Sequence, residues 1–445
     1  MKNSKAFHRF TFIPVLAALA AVIAPSVQAQ SLVNLYTAAR SYDATFQSAK
    51  SNADATVARA DQARAGILPS ASLSANANRT NTEAVSKLEQ AYGSQTVTLG
   101  ASQALYRPGN WATYEQGKKQ VELAQMQLNA AEQDLIVRVS QAYFDVLAAT
   151  DSLAYLKSLK TATSEQLASA KRNFEVGTST ITDSREAQAR YDLVIAQELA
   201  ADNDLRVKSL ALDTLVGRPN STPQPLALPA MLPTLPMMDM EQWVGQAQDN
   251  HPAIQQAKVG LEVARLEIQK ARAAHKPTVD LVGSYSMINN NGTFAGGAGD
   301  SRLNNAAIGV NFNLPLFAGF SIQNRVRETV SLEEKAQSDL DIAQRGVVLG
   351  ARSAFLGVMS GAAQVKAFEA AEASTQSALD ANKLGYQVGV RINIDVLNSQ
   401  SQLFDTKAKL AKARYDVLVG GLRLRQASGV LKADDLQTIN SLLKP

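Results

Sequence analysis

The sequence predicts a mostly α-helical chain with a small β part, laid out twice as helix–strand–strand–helix–turn–helix. Three observations carry this reading. An internal repeat spans nearly half the chain, two helical stretches are far longer than a compact domain uses, and four segments alternate apolar and small-polar residues with a period of two.

The repeat is explicit. Phe174-Glu175-Val176-Gly177-Thr178 is echoed by Tyr386-Gln387-Val388-Gly389-Val390, and Tyr143/Phe355, Asp183/Asp395, Gln188/Gln400 and Gly217/Gly429 keep the same offset of 212. Nearer the start of each copy the offset is 208, pairing Lys50 with Lys258 and Pro69 with Pro277. The boundaries expected are a first repeat over 30–217, a proline-rich linker over 218–239, a second repeat over 240–430 and a tail over 431–445.

Residues 1–29 read as a signal peptide: Lys2, Lys5 and Arg9, an apolar run from Phe10 to Ala24, then the small-x-small site Val27-Gln28-Ala29. A membrane anchor is the competing reading, but the run is short for a span. The leader carries three basic residues and no acids, so without it the formal net charge falls from +4 to +1. The basic balance gives no ground for a nucleic-acid partner. Cysteine is absent, which removes disulfide staples, thiolate metal sites, a Cys nucleophile and a lipidated N-terminal cysteine.

Residues 31 to about 66 read as one helix, stopped by Gly66-Ile67-Leu68-Pro69. Beyond Pro69 the period becomes two. Ala71, Leu73, Ala75 and Ala77 oppose Ser72, Ser74, Asn76 and Asn78, and Val97, Leu99 and Ala101 oppose Thr96, Thr98, Gly100 and Ser102. These are two strands of about ten residues joined by a loop. From about 110 to 175 there is no proline and one glycine, Gly117; at 1.5 Å per residue that is a helix of roughly 100 Å. Leu128, Leu135, Ala142, Ala149 and Leu156 recur every seven residues, as do Leu340, Val347, Ala354, Gly361 and Phe368. This is a coiled-coil seam, with small residues in its middle slots where helices approach closely.

Gly177 opens a turn after the long helix, and Thr182 or Asp183 is expected to cap the next helix, which returns to about 216. The linker holds six of the 14 prolines. The second copy repeats the plan: a helix over about 240–274, a strand with Val279, Leu281, Gly283 and Tyr285 on one face, and a Gly/Asn-rich loop near 289–299. Then come a strand with Ile308, Val310, Phe312 and Leu314, a long helix over about 320–386, a turn, and a helix over about 394–427.

Four amphipathic strands are too few to close a barrel, and open edges are not tolerated in lipid; the smallest spanning barrels use about eight strands. Several copies must therefore contribute strands to one barrel. Tyr285, Phe312 and Phe317 are candidates for its outer aromatic band. A soluble sheet with one wet face explains any single strand equally well; four such strands with an export signal and very long helices argue for the membrane.

With these residues assembled, the mature chain resembles the TolC-type outer-membrane channel family along its whole length. The resemblance rests on the duplicated unit, the tips Val176-Gly177…Ile181-Thr182-Asp183 and Val388-Gly389…Ile394-Asp395-Val396-Leu397, the helix-to-strand prolines, and Leu314-Pro315-Leu316-Phe317 before the second long helix. It implies a homotrimer, a 12-stranded outer-membrane barrel continued by an α-helical tunnel across the periplasm, and a tip that closes. It also implies a gate of Tyr386 and Arg391 linked to Thr182 and Asp183, and constriction rings at Asp395 and at a second position, where this chain carries Asn398 instead of aspartate. Val176, Gly177, Thr178, Val388, Gly389 and Val390 would be the docking tips for a periplasmic adaptor, itself coupled to an inner-membrane pump or ABC transporter. On residues alone, an isolated Asp183 and Arg391 read rather as a helix cap and a solvated charge, which the two-copy context and the resemblance reverse; the glycine turns serve geometry, with or without docking.

No enzyme motif appears. His251 and His275 lack carboxylate or cysteine company and read as helix-end residues, and neither a cofactor nor a catalytic site is expected. A periplasmic adaptor would need one hairpin plus β-rich modules. A coiled-coil spacer or adhesin anchored in the outer membrane is the non-transport alternative. The expectation is an outer-membrane exit duct for a tripartite efflux pump or type I secretion system.

Overall fold

The computed structural model describes residues 30–83, 89–227, 239–292 and 300–444. The expected signal peptide, half of the linker and the far end of the Gly/Asn-rich loop lie outside the described residues. The elements run α1 (Leu32–Tyr42), α2 (Ala44–Ala65), β1 (Ser70–Glu83), β2 (Glu89–Tyr106), α3 (Pro108–Glu175), α4 (Ile181–Val216), α5 (Met240–Asn250), α6 (Pro252–Ala273), β3 (Thr278–Gly292), β4 (Ser301–Asn313), α7 (Ser321–Gln387), α8 (Asn393–Ala427) and α9 (Asp435–Asn440).

The expected single helix over 31–66 is two helices, and so is that over 240–274. The joints, Asp43 and His251, are equivalent at the 208 offset. At Asp43 the carboxylate accepts the Phe46 N–H at 2.8 Å and both ends of the Arg138 guanidinium at 3.0 and 2.9 Å. Those bonds outweigh one lost turn of helix. At His251, Pro252 removes the donor that would continue the helix, and Nδ1 accepts from the Ala253 N–H at 3.1 Å.

The strands form one antiparallel sheet in the order β1-β2-β3-β4, so the first repeat's second strand pairs with the second repeat's first, and β1 and β4 are left as edges. The register keeps the two faces coherent: Leu73, Leu99, Tyr285 and Ala306 form one cross-sheet row, while Ser74, Thr98, Ser286 and Asn305 form the adjacent row on the other face. Leu73, Ile308, Val310 and Phe312 are exposed on the apolar face. The strands, 13 to 18 residues long, exceed the expected ten. The extra length is polar on both faces, as in Asn78-Arg79-Thr80-Asn81 and Asn289-Asn290-Asn291, so the hairpins continue beyond a hydrocarbon band that needs about 9–11 residues.

At the sheet-to-helix junction Arg107 clasps Asp280 with two bonds, at 2.7 and 2.6 Å, tying the start of α3 to β3 of the other repeat. Trp111, Leu316, Phe317 and Phe320 are exposed around this junction. Phe317 and Phe320 meet edge to face at 5.5 Å. Of these, Trp111 and Phe320 were not singled out in the sequence.

Below the sheet α3 and α7, with 68 and 67 residues, each pair with a returning helix, α4 and α8, and α3 also packs on α8. The heptad positions Leu135, Leu340 and Val347 are buried. At the small-residue slot Gly361 an added Cβ would meet Val417 Cγ2 at 3.0 Å, which explains the glycine there. The main core lies at mid-height, where α1, α3, α4, α8 and α9 enclose Leu35, Tyr143, Phe144, Leu212, Tyr415 and Leu436. The tail enters that core through Leu431, Ile439 and Leu443.

Candidate functional site

The two helical hairpins end side by side. In the first, Gly177 takes φ +76° and reverses the chain. The cap of α4 is Thr180 rather than Thr182 or Asp183. Thr180 Oγ1 accepts the Asp183 N–H at 3.2 Å, and the Asp183 carboxylate accepts the Thr180 N–H at 3.0 Å, a capping box. Asp183 also accepts the Ser179 hydroxyl at 2.6 Å and the Thr180 hydroxyl at 2.9 Å. The Ser179 bond is the main cause holding its carboxyl below the usual carboxylate value, helped by the Thr180 bonds and opposed by partial burial. Thr182 is exposed in the first turn of α4.

The second tip has the same turn, with Gly389 at φ +81°, but different capping. Ile392 is the N-cap of α8 and makes no side-chain cap bond. Asp395, the counterpart of Asp183, therefore has no capping task and instead faces Arg391 at 3.8 Å. Arg391 lies folded over Gly385, where an added Cβ would come within 2.6 Å of its Cγ. Asn173 occupies the equivalent place in the first copy. Its Nδ2 donates to the Tyr386 hydroxyl at 3.1 Å, joining the two tips.

Within one chain, then, Tyr386 bonds to Asn173 and Arg391 pairs with Asp395. Neither bonds to Asp183, which is satisfied by its own turn. The hairpins are also joined by Leu397, buried against Leu167, Ala170 and Ala187, and by Gln166, which donates to the buried Asn393. Val176, Val388 and Val390 stand exposed at the extremity. One turn above Asp395, Asn398 is exposed and accepts from Arg190 Nη2 at 2.5 Å. Asn173, Gly385, Gln166 and Arg190 were not read from the sequence. A position-by-position comparison of the two copies sets Asn173 against Gly385 directly before the matching aromatic Phe174/Tyr386, but Thr178, Ser179 and Thr180 also differ from Val390, Arg391 and Ile392, so the difference does not stand out.

An amphipathic antiparallel sheet with a small-polar face, set on two helical hairpins of about 100 Å whose glycine-turn tips expose valines, defines a barrel-and-tunnel channel protein. The family model for outer membrane efflux proteins matches residues 35–218 and 243–430, once per copy. The chain belongs to that family.

Outer membrane protein TolC of Vibrio cholerae is 32% identical over 432 residues, covering 96% of this chain and 97% of that protein. The proteases secretion protein PrtF of Dickeya chrysanthemi is 27% identical over 428 residues, covering 93% and 91%. The outer membrane channel CmeC of Campylobacter jejuni superposes with a TM-score of 0.76 at 16% identity, covering 99% of this chain and 98% of that one, a likeness of fold. The protein is thus an outer-membrane exit duct for efflux or type I secretion, with its sheet in the outer membrane and its helical tunnel in the periplasm.

Proposed function

We propose that three copies close head to tail into one duct gated at the periplasmic tips. The observation that carries this is a pair of exposed apolar stripes whose repeat counterparts are buried inside the chain. On α7, Leu349, Leu356 and Met359 are exposed, whereas their counterparts at the 212 offset, Val137, Phe144 and Leu147, are buried on α3 beneath α8. On α4, Val207 and Leu210 are exposed, whereas their counterparts Val419 and Leu422 are buried on α8. The α3–α8 contact is thus a template for a contact between α7 of one copy and α4 of the next. Burying each large side chain contributes roughly 1.5–3 kcal/mol. The sheet repeats the pattern: β2 pairs with β3 inside the chain, and the edges β4 and β1 are left for the neighbour. Such a heterologous contact closes into a ring, and three copies of a four-stranded sheet give twelve strands.

In that ring the tips converge on the axis. Tyr386 and Arg391, with Thr182 and Asp183 of the adjoining hairpin, form the closing set, each hydrogen bond contributing on the order of 1 kcal/mol. Asp395 and Asn398 line the constriction. The glycine turns with Val176, Thr178, Val388 and Val390 receive a periplasmic adaptor coupled to an inner-membrane pump. Transport uses no catalytic centre and no cofactor; direction and energy come from the pump.

Cross-linking tests the ring. Phe144 and Tyr415 stack at 5.5 Å between centroids, and their counterparts are Leu356 and Asn203. In this cysteine-free chain, L356C/N203C should give a covalent trimer on oxidation, with each single variant remaining monomeric on denaturing gels. Monomer alone from the double variant would reject the arrangement.

A further inference from the structure

The second constriction position is occupied by more than an amide. Asp395 and Asn398 stand three residues apart on α8, one above the other. Across the groove between α4 and α8, Arg190 sets its Nη2 on Asn398 Oδ1 at 2.5 Å. The amide accepts that bond but neutralises nothing. Asp405, a carboxylate lining the same groove as Arg190, is engaged by Lys409 at 2.7 Å. Asp192, two residues along α4, accepts from Gln188 at 2.9 Å. Below, Arg391 faces Asp395 at 3.8 Å and offsets its charge.

We infer that Arg190, held over Asn398, sets the charge selectivity of this duct: it makes the second ring cationic, so that anionic and neutral cargo are favoured and polyvalent cations are not retained. The inference rests on the reading above that the turn of α8 bearing Asp395 and Asn398 faces the axis. In a ring of three chains, a layer of guanidinium groups then stands one helical turn above a layer of carboxylates. A low-dielectric wall strengthens the field of such a layer at its centre, and rings of fixed charge are how pores discriminate ions. An aspartate at 398 would pair with Arg190 and cancel it; the asparagine leaves the charge standing. Asparagine at 398 by itself would only weaken a cation preference by removing a carboxylate; the geometry adds a charge of opposite sign.

The test is reversal potential in a KCl gradient across a planar bilayer, with hexaamminecobalt(III) as the blocking probe. The wild type should be weakly selective and little affected by the trivalent ion. R190K, which keeps the charge, should match it. R190Q should raise the cation-to-anion permeability ratio by about threefold or more, and R190Q/N398D should raise it further and introduce block by the trivalent ion. An R190Q channel that conducts with the wild-type ratio would overturn the inference while leaving the duct intact. Absence of conductance from a folded wild-type assembly would remove the duct reading, and this inference with it.

Discussion

The junction between sheet and tunnel offers the sharpest energetic test. Arg107 and Asp280 share two bonds, at 2.7 and 2.6 Å, and their side chains are 44% and 7% exposed. Arg107→Met keeps the aliphatic stem but leaves a buried carboxylate without its partner. Breaking a fully buried pair costs about 3–5 kcal/mol. Because the guanidinium is nearly half exposed, part of that attraction is already screened, and about 2–3 kcal/mol is expected. Asp280→Val strands only the exposed partner, which water can solvate, so about 1 kcal/mol is expected there. The double variant should recover most of the R107M loss. The assay is urea unfolding of the detergent-solubilised protein, followed by tryptophan fluorescence. The chain has 2 tryptophans, and Trp111 lies one turn into α3 beside the clasp, so it reports this region. A shift in midpoint at constant slope gives the free-energy change. If R107M unfolds within about 0.5 kcal/mol of wild type, or if the two losses simply add, the clasp does not couple the repeats and the reasoning fails.

Other consequences follow from the tips. Tyr386→Phe with Arg391→Ser should enlarge single-channel conductance, since both groups belong to the proposed closing set; an unchanged conductance in the double variant rejects that set. The pH dependence of the first tip has a definite sign. The Asp183 carboxyl is held below its ordinary value, so its stabilisation is complete above that value and is lost as pH falls through the lower folded one. Hydrogen-exchange protection in the first turn of α4, taken relative to the intrinsic rate at each pH, should fall over that acid interval in wild type and stay flat in D183N. Asp151, pushed up by burial beside Tyr415, acts oppositely: its ionisation weakens the α3–α8 contact, so D151N should stabilise that contact at neutral pH, read as slower exchange there. Gly389→Val places a β-branched residue at φ +81° and should destabilise the second tip by about 1–3 kcal/mol, measured as a lower unfolding midpoint; an unshifted midpoint would contradict the turn.

The architecture was legible because two periodicities in the sequence have single physical explanations. A seven-residue seam without proline requires long paired helices, and alternation over Ala71–Ala77 and Val97–Ala101 requires strands with two chemically distinct faces. The joints at Asp43 and His251 were less legible because each is decided by a local contest. Pro252 signals its break outright. Asp43 breaks its helix through a bond to Arg138, 95 residues away, which no local window contains. The site divides in the same way. Gly177 and Gly389 announce positive φ, but the partners of the tip residues are set by packing between hairpins. Asn173 meets Tyr386 across 213 residues and Arg190 meets Asn398 across 208, distances over which spacing carries no signal. The cap at Thr180 was missed by two residues because Thr180, Thr182 and Asp183 all suit the position; the reciprocal bond between Thr180 and Asp183 decides it.

The difference between the tips carries a mechanical consequence. The first tip closes a capping box, and its aspartate is held in place by its own turn. The second has Ile392 where the first has Thr180, so α8 begins with its first N–H groups unserved by a side chain, and Asp395 is left to face outward toward Arg391. In the proposed duct a gate needs one rigid hairpin and one that yields, and a constriction needs a carboxylate not consumed by its own cap; the replacements of Thr180 by Ile392 and of Ser179 by Arg391 between the copies supply both. Ile392→Thr should undo both together. The introduced hydroxyl and the Asp395 carboxylate would reproduce the box of Thr180 and Asp183, stabilising the first turn of α8 by about 1 kcal/mol and drawing the carboxylate back to its own helix end. Hydrogen exchange over 393–396 should slow about fivefold at that energy, and cation preference in the bilayer should fall as the Asp395 charge leaves the axis. If exchange slows while selectivity is unchanged, Asp395 does not line the constriction. If neither changes, the uncapped start of α8 is not the yielding element, and opening must be sought in the packing of Leu397 against the first hairpin.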